Sequence, residues 1–402
     1  MSASGLEFRE RAVNLGERLQ RAFLAALEEV GAPVERNKAL AERLGITPVL
    51  ASRLRKMLAK EDPAQALLVS PGEGPLQAVS MALARLGATA DACSRIDSVL
   101  VGIRGFIASE AGDRRALETL LADHVEGGRP VFEAPRRQAV FRSLSAARGL
   151  HADLVIHSAF LTPMARGGVS FSTLLGIHAF ERTRAGAQHS WLVRRRLEKG
   201  PQLEGPTVHH GHKSGALESG EGLARFCLHP PAPLEMNEVG EDLLECRLGP
   251  TGFGPPSRVD VISLEQHLAQ VQRSEPDPGR LRGVGFTPQI PARRIVVEMI
   301  AHRELFGGRP PLILAGSTID QGPLDMNDPE QRALLAPPSE EVEALSPGLS
   351  GLELRGLHMR RELLQETFAR LGQEPRDFHG WRLEVPFAYP WYQYFFCWEG
   401  LG

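Results

Sequence analysis

Three imidazoles within four residues, His209-His210-Gly211-His212, are the densest set of metal-ligating side chains in the sequence. Neutral imidazole nitrogens suit zinc or nickel, but a closed site also needs a further ligand and a rigid frame. Here Gly205, Gly211 and Gly215 surround the run and Lys213 lies beside it, so the stretch reads as a solvated loop. His157 and His178 fall inside apolar, strand-like runs, where a hydrogen-bonded core histidine is the expected state. His302-Arg303-Glu304 sets a base near an acid, yet no nucleophile or cofactor cradle accompanies it. Gly72-Glu73-Gly74 and Gly252-Phe253-Gly254 lack the lysine and hydroxyl of a phosphate loop, and no strand–glycine–helix frame surrounds them. Cys93, Cys227, Cys246 and Cys397 are widely spaced with no CxxC pair, which argues against a disulfide scaffold or a thiolate zinc site. No catalytic constellation and no cofactor or metal site emerges, so the chain is not read as an enzyme.

Residues 36–60 carry a different chemistry. Seven basic residues (Arg36, Lys38, Arg43, Arg53, Arg55, Lys56, Lys60) stand there against one acid, Glu42, in a chain of formal net charge -3. The preceding stretch carries Glu7, Glu10, Glu17, Glu28 and Glu29, so the positive charge belongs to this element alone. A local patch of that kind is what a polyanion partner requires when bulk charge does not supply it. Arg53 can fork onto a guanine edge, while Lys38, Ser52, Arg55 and Lys56 suit phosphates.

Positioning these groups takes two short helices and a tight turn. Asn37–Lys56 reads as a helix, a turn at Gly45 and a second helix starting near Thr47. Gly45 supplies the left-handed backbone that ends the first helix, Thr47 is a good N-cap, and Pro48 fits a first turn that needs no N–H. Leu40, Ala41, Leu44, Ile46, Ala51 and Leu54 are the positions that would lock the two helices together. This pattern resembles the DNA-binding helix-turn-helix of the Cro and repressor group of bacterial regulators, and that of winged-helix regulators. Ala41, Gly45 and the apolar Leu40, Leu44, Ile46 and Leu54 carry the likeness over residues 37–60; Ala51 stands where a branched residue is usual. The resemblance implies a recognition helix whose outward positions are Thr47, Pro48, Val49, Ser52, Arg53 and Lys56.

Around this element the chain divides by texture. Its 402 residues predict two or three domains, and 42% hydrophobic with 24% charged residues is ordinary for a soluble globular protein. Residues 6–30 have helical apolar spacing, closed by Gly31 and Pro33. Residues 64–150 look all-helical, in segments 76–86, 96–108, 116–125 and 135–147, with Asp113 as an N-cap. From His151 the pattern turns strand-like at 152–156, 172–178 and 189–193. Loops are expected at 198–222, 249–257 and 276–285. A strand at 258–263 leads into a helix to about Gln272, and 294–302 with 311–315 look like a strand pair. Residues 323–347 are expected to wrap the surface and 352–371 to form an amphipathic helix. The aromatic run from Phe387 to Trp398 reads as core strand or subunit interface. The expected fold class is α+β multidomain: a helix-turn-helix domain at 1–62, a helical connector or dimerisation region at 63–150, and a mixed α/β domain at 151–402.

These features predict a sequence-specific DNA-binding protein, a prokaryotic transcriptional regulator whose partner is double-stranded DNA. A homodimer is expected, because one small helix-turn-helix reads a short half-site and two read together gain specificity. Residues 151–402 would dimerise or sense an effector, small molecule or protein, for which the sequence holds no signature. No signal peptide and no membrane span are expected, which places the protein in the cytoplasm. Two other classes stay open: an enzyme or metal-binding protein with its site in 151–402, and an assembly protein that uses the helix-turn-helix against protein.

Overall fold

The computed structural model describes residues 3–125, 127–163, 169–187, 190–195, 212–213, 216–217, 221–232, 234–238, 243–249, 251–267, 280–306, 308–320, 322–346, 348 and 351–399. The architecture is mixed: helices first, then sheets. Two compact units divide it, residues 1–136 and 137–402. The helical part comprises α1 (Ala3–Glu29), α2 (Asn37–Leu44), α3 (Pro48–Leu58), α4 (Pro63–Val69), α5 (Glu73–Arg85), α6 (Ala90–Glu110), α7 (Arg114–His124) and α8 (Gly128–Arg148). No helix among the described residues is long and apolar enough to cross a membrane.

In the first unit α1 is the axis. Phe8, Ala12, Leu15, Leu19, Phe23, Ala26, Leu27 and Val30 recur every three or four residues, and all are buried. They form one core with residues of α2 to α7 through Val125, so side chains on both sides of the expected boundary at residue 62 share it. Gly16 sets the approach of α1 to α4: a Cβ there would lie 1.8 Å from the Pro63 carbonyl oxygen. The joints follow the sequence chemistry. Asp62, Thr89 and Asp113 each accept a hydrogen bond from the first turn of α4, α6 and α7, from the N–H of Ala64, Ala92 and Ala116 at 2.9, 3.2 and 2.8 Å.

The second unit continues with β1 (Leu150–Pro163), β2 (Val169–Arg182), β3 (Ser190–Arg195), β4 (His212–Lys213), β5 (Ala216–Leu217), α9 (Glu221–Ala224), β6 (Leu234–Glu238), β7 (Leu243–Leu248) and β8 (Val259–His267). Then come β9 (Leu281–Phe286), β10 (Ala292–His302), α10 (Arg303–Phe306), β11 (Leu312–Ser317), α11 (Pro329–Arg332), β12 (Val342–Leu345), α12 (Arg360–Leu371), β13 (Phe378–Pro386) and β14 (Tyr392–Glu399). The main sheet has the order β12-β13-β10-β1-β2-β8, with β1 and β10 parallel and every other pair antiparallel. A three-stranded sheet, β11-β14-β9, packs on one face. Period-two alternation decides what meets what. Val297, Met299, Trp381 and Leu383 of the main sheet meet Ile313, Tyr394, Phe396 and Trp398 of the small one. On the opposite face, Phe160, Leu174, Ile262 and Ile300 meet Leu363, Leu364 and Phe368 of α12. A third sheet has the order β3-β7-β6-β5-β4.

Four expectations need correction. Residues 264–267 extend β8 as strand, not helix; residues 268–279 lie outside the described residues. The expected loop at 276–285 contains most of β9, whose alternating glycines Gly283 and Gly285 hid its period. There a Cβ would meet Phe396 O at 1.9 Å or the Phe395 ring at 2.8 Å, so only bare backbone fits against β14. β10 and β11 do not pair with each other: β10 lies between β1 and β13, and β11 pairs with β14. Finally, α12 begins at Arg360, because Leu352, Leu354 and Leu357 are buried from an irregular segment that mimics helical spacing. Within 323–347 the chain forms α11 and β12, and Leu324 and Leu335 cover the outer face of the small sheet.

Gly16→Ala is expected to lower the thermal midpoint of the first unit. Alanine's better helix propensity is worth about 1 kcal/mol, whereas forcing backbone apart costs about 1–3 kcal/mol or more. Circular dichroism melts test this; a variant at least as stable as wild type would show that α1 and α4 do not touch at this point.

Candidate nucleic-acid interface

Two short helices joined at Gly45 form the element on which the sequence places its chemistry. Gly45 has φ 64° and ψ 36°, and its N–H reaches back to Ala41 and Glu42 carbonyls. Thr47 Oγ1 accepts from the Leu50 N–H at 3.2 Å, with Pro48 opening α3. Leu40, Ala41 and Leu44 of α2 and Ala51, Leu54 and Met57 of α3 are all buried. Gln20 of α1 fastens the far end of α3, donating to the carbonyls of Met57 and Lys60 at 3.0 and 2.8 Å. Arg43 donates to Val30 O at 2.9 Å and secures the entry to α2. The element is therefore held at both ends by the rest of the core.

The residues left outward are those named from the sequence. Thr47, Pro48, Val49, Arg53 and Lys56 are exposed, Val49 at 71%, and Ser52 is half-buried. Arg55 belongs elsewhere. Its Nε donates to Val34 O and its Nη1 to Asn37 Oδ1 at 2.6 Å, so its guanidinium ties α3 to the segment before α2. Lys38 is 90% exposed and reaches Glu42 only at 4.0 Å.

Charge pairing is common in the rest of the unit, where only Arg18, Arg85 and Arg115 lack a carboxylate partner among the described residues. Arg9, Arg11, Arg21, Arg95, Arg104, Arg114, Arg129 and Arg136 each lie within 4.0 Å of an Asp or Glu. Among the described residues, Arg36, Arg53, Lys56 and Lys60 have no such partner. Arg114 gives the clearest sign of local excess. Burial pushes its guanidinium below the ordinary arginine range, the nearby Glu118 works against that, and repulsion by Arg53 adds to it. Unneutralised cations on one convex helical face are suited to a polyanion.

The second unit contains one polar node that the sequence did not reveal. Asp260 on β8 is fully buried and accepts from the N–H of Ala179, Leu228 and His229 at 2.8, 2.7 and 3.1 Å. Nδ1 of His178 and of His229 also approach it, at 3.2 and 3.0 Å. Burial opposes the ionisation of Asp260, but His178 and the Ala179 N–H outweigh it and hold the carboxyl at about 2. An ionised carboxylate only accepts hydrogen bonds, so both Nδ1 atoms carry protons. Ala179 takes φ 51° beside a break in the β2–β8 register, a strained conformation that its hydrogen bond to Asp260 helps to fix. His178 was expected as a hydrogen-bonded core histidine, and it is one. Cys227 is no activated nucleophile: burial, then the charge of Asp260, pushes its thiol up to about 12. No group of three His, Cys, Asp or Glu among the described residues is arranged to hold a metal, and the node reads as a tie between β2, β8 and residues 227–229.

Other expected features are dispersed. His209, His210 and Gly211 lie outside the described residues, and the backbone of His212 is in β4. His157 stacks on Phe286 at 4.3 Å between ring centres, and His302 meets the Phe378 ring edge-on. Tyr394, Phe395, Phe396 and Trp398 are buried, as a core strand requires. Arg309, Leu312, Trp398 and Glu399 line an open cleft of about 320 Å³ at the end of β14.

Two outcomes follow. Arg55→Ala is expected to destabilise the first unit by about 1–2 kcal/mol, read by denaturant unfolding; unchanged stability would return Arg55 to the free face. In the second unit, Asp260 lies below its ordinary value of 3.8, so its contribution is present above pH 4 and is lost as pH falls towards 2. That contribution is about 2 kcal/mol. Asp260→Asn should lower stability at neutral pH and flatten the acid dependence between pH 4 and 2, and an unaltered acid profile would count against this role. Comparison with protein-family models, with curated proteins and with solved structures found no match in any of the three.

Proposed function

We propose that this protein binds double-stranded DNA through α3, as a helix-turn-helix transcriptional regulator acting in the cytoplasm. The observation that carries the reading is the exposed row Arg53 and Lys56, without carboxylate partners among the described residues, on a helix whose other face is locked into the core. Thr47, Pro48 and Val49 at the start of α3 would approach base edges, with Val49 suited to a thymine methyl group. Arg53 would take a guanine edge, and Lys38, Ser52 and Lys56 the flanking phosphates. Arg55 is left out of the contact set, since its guanidinium is committed to Val34 and Asn37.

A homodimer reading two half-sites belongs to the same proposal, because a single short helix contacts too few base pairs for a genomic address. Residues 137–402 would then supply dimerisation or effector sensing. Electrophoretic shift with genomic fragments at two salt concentrations tests the reading. Wild type should retard DNA with strong salt dependence, and Arg53→Ala with Lys56→Ala should weaken binding at least about tenfold while the fold is retained. Absence of retardation, or a double variant that binds like wild type, overturns it.

A further inference from the structure

Outside the two short helices the first unit carries an exposed arginine with no carboxylate on α7, a helix that meets α4. Arg115 is in the first turn of α7, directly after Arg114. Arg114 reaches from there to the C-terminal end of α4, donating to Leu67 O at 3.0 Å and to Ser70 O and Oγ at 3.2 and 3.1 Å. α4 in turn packs on α3, and the Arg114 guanidinium is close enough to Arg53 to feel its charge. The start of α7 is thus fixed against α4, the helix that packs on α3.

Charge distribution singles out Arg115 there. Glu118 could have neutralised it, yet both of that carboxylate's oxygens are taken, by Arg114 at 3.2 Å and by Arg136 at 3.0 Å. The residue one turn on from Arg115 is Thr119, whose hydroxyl donates to the Arg115 carbonyl and leaves the guanidinium untouched. Among the described residues of α5 to α7, only Arg85 is likewise an arginine without an acidic partner. An exposed guanidinium costs nothing in water, and with no carboxylate beside it Arg115 keeps its full charge for an anionic partner.

We infer that Arg115 extends the DNA-binding face beyond the two short helices, meeting a phosphate of the strand that flanks the site of α3. This rests on the DNA-binding reading above. The contact is one of charge and position, so it carries no base preference: it should contribute equally on any duplex and be screened by salt.

The test is fluorescence anisotropy of the full chain with a labelled random-sequence duplex, over a series of salt concentrations. Arg115→Ala is expected to weaken binding about fivefold at low salt and to reduce the slope of log affinity against log salt by about one. Arg115→Glu should weaken it further, and Arg85→Ala, removing the unpaired arginine of α5, should bind as wild type. Thermal melts matching wild type would exclude misfolding as the cause. If wild type binds and loses binding on Arg53→Ala with Lys56→Ala, while Arg115→Ala and Arg115→Glu leave affinity and slope unchanged, the inference fails and the DNA reading stands. An equal loss in Arg85→Ala would also overturn it, by pointing to net charge. If wild type does not bind the duplex, both fail together.

Discussion

A carboxylate with no exposure to water must be compensated where it stands, and Glu298 at the centre of the main sheet is such a group. Its charge is held by Arg360 of α12 and by Arg382 of β13, whose Nη2 approaches at 2.8 Å, while Ser158 donates at 2.6 Å. Burial works against ionisation, and Arg360 followed by Arg382 more than offsets it, leaving Glu298 below the usual carboxylate range. The register of four strands serves this arrangement: Ser158 stands beside Glu298, Glu298 beside Arg382 and Arg382 beside Glu343. A slip of one residue in β10 or β13 would turn a charged side chain into the apolar layer on the other face, and one in β1 would remove the Ser158 hydroxyl. α12 is bound to the same carboxylate through Arg360, so helix docking and sheet register are fixed by one interaction. Breaking such a pair costs far more than its net worth in stability, since the remaining charge has nowhere to go.

The first unit handles charge in the opposite way. Eight of its arginines lie beside a carboxylate, while those of the two short helices do not, and neither do Arg18, Arg36, Arg85 and Arg115 among the described residues. Exposed pairs contribute little to stability, so their main effect is on the field: neutrality over most of the surface and a positive region where pairing stops. This also explains how a chain of net charge -3 can present a basic face. Carboxylates of these pairs come from α1, α5, α6 and α7, each taken up by an arginine of the same unit.

Where local chemistry decides structure, it could be read from the sequence. Gly45, Thr47 and Pro48 fix a turn and a helix start within four residues, and Asp113 caps a helix by its own side chain. The sheets were harder, because β-pairing is decided by residues far apart. Nothing near Arg294–His302 says that its neighbours are β1 and β13 rather than β11. The irregular segment before Arg360 imitates a helix because its leucines are spaced to reach one apolar face. For the candidate interface, exposure of Thr47, Pro48, Val49, Arg53 and Lys56 was legible from the apolar pattern of α3. The diversion of Arg55 was not, since its acceptors, Val34 O and Asn37 Oδ1, depend on how the chain enters α2. Asp260 went unread for the same reason: its five donors come from two segments, 178–179 and 228–229, both far from it in sequence.

The parallel pairing of β1 with β10 has a kinetic meaning. Ser158 and Glu298 are 140 residues apart, and this pair lies at the middle of the main sheet. Closing so long a loop is slow relative to forming contacts between neighbouring helices. During synthesis the helices of the first unit, with a core of their own, can assemble while the strand that completes the sheet is still untranslated. For that interval β1 and β2 present an apolar hairpin lacking the parallel neighbour that covers its edge. Strands in that state invite pairing with other chains, so the second unit, and not the helical one, sets the tolerance of this protein to rapid or crowded expression.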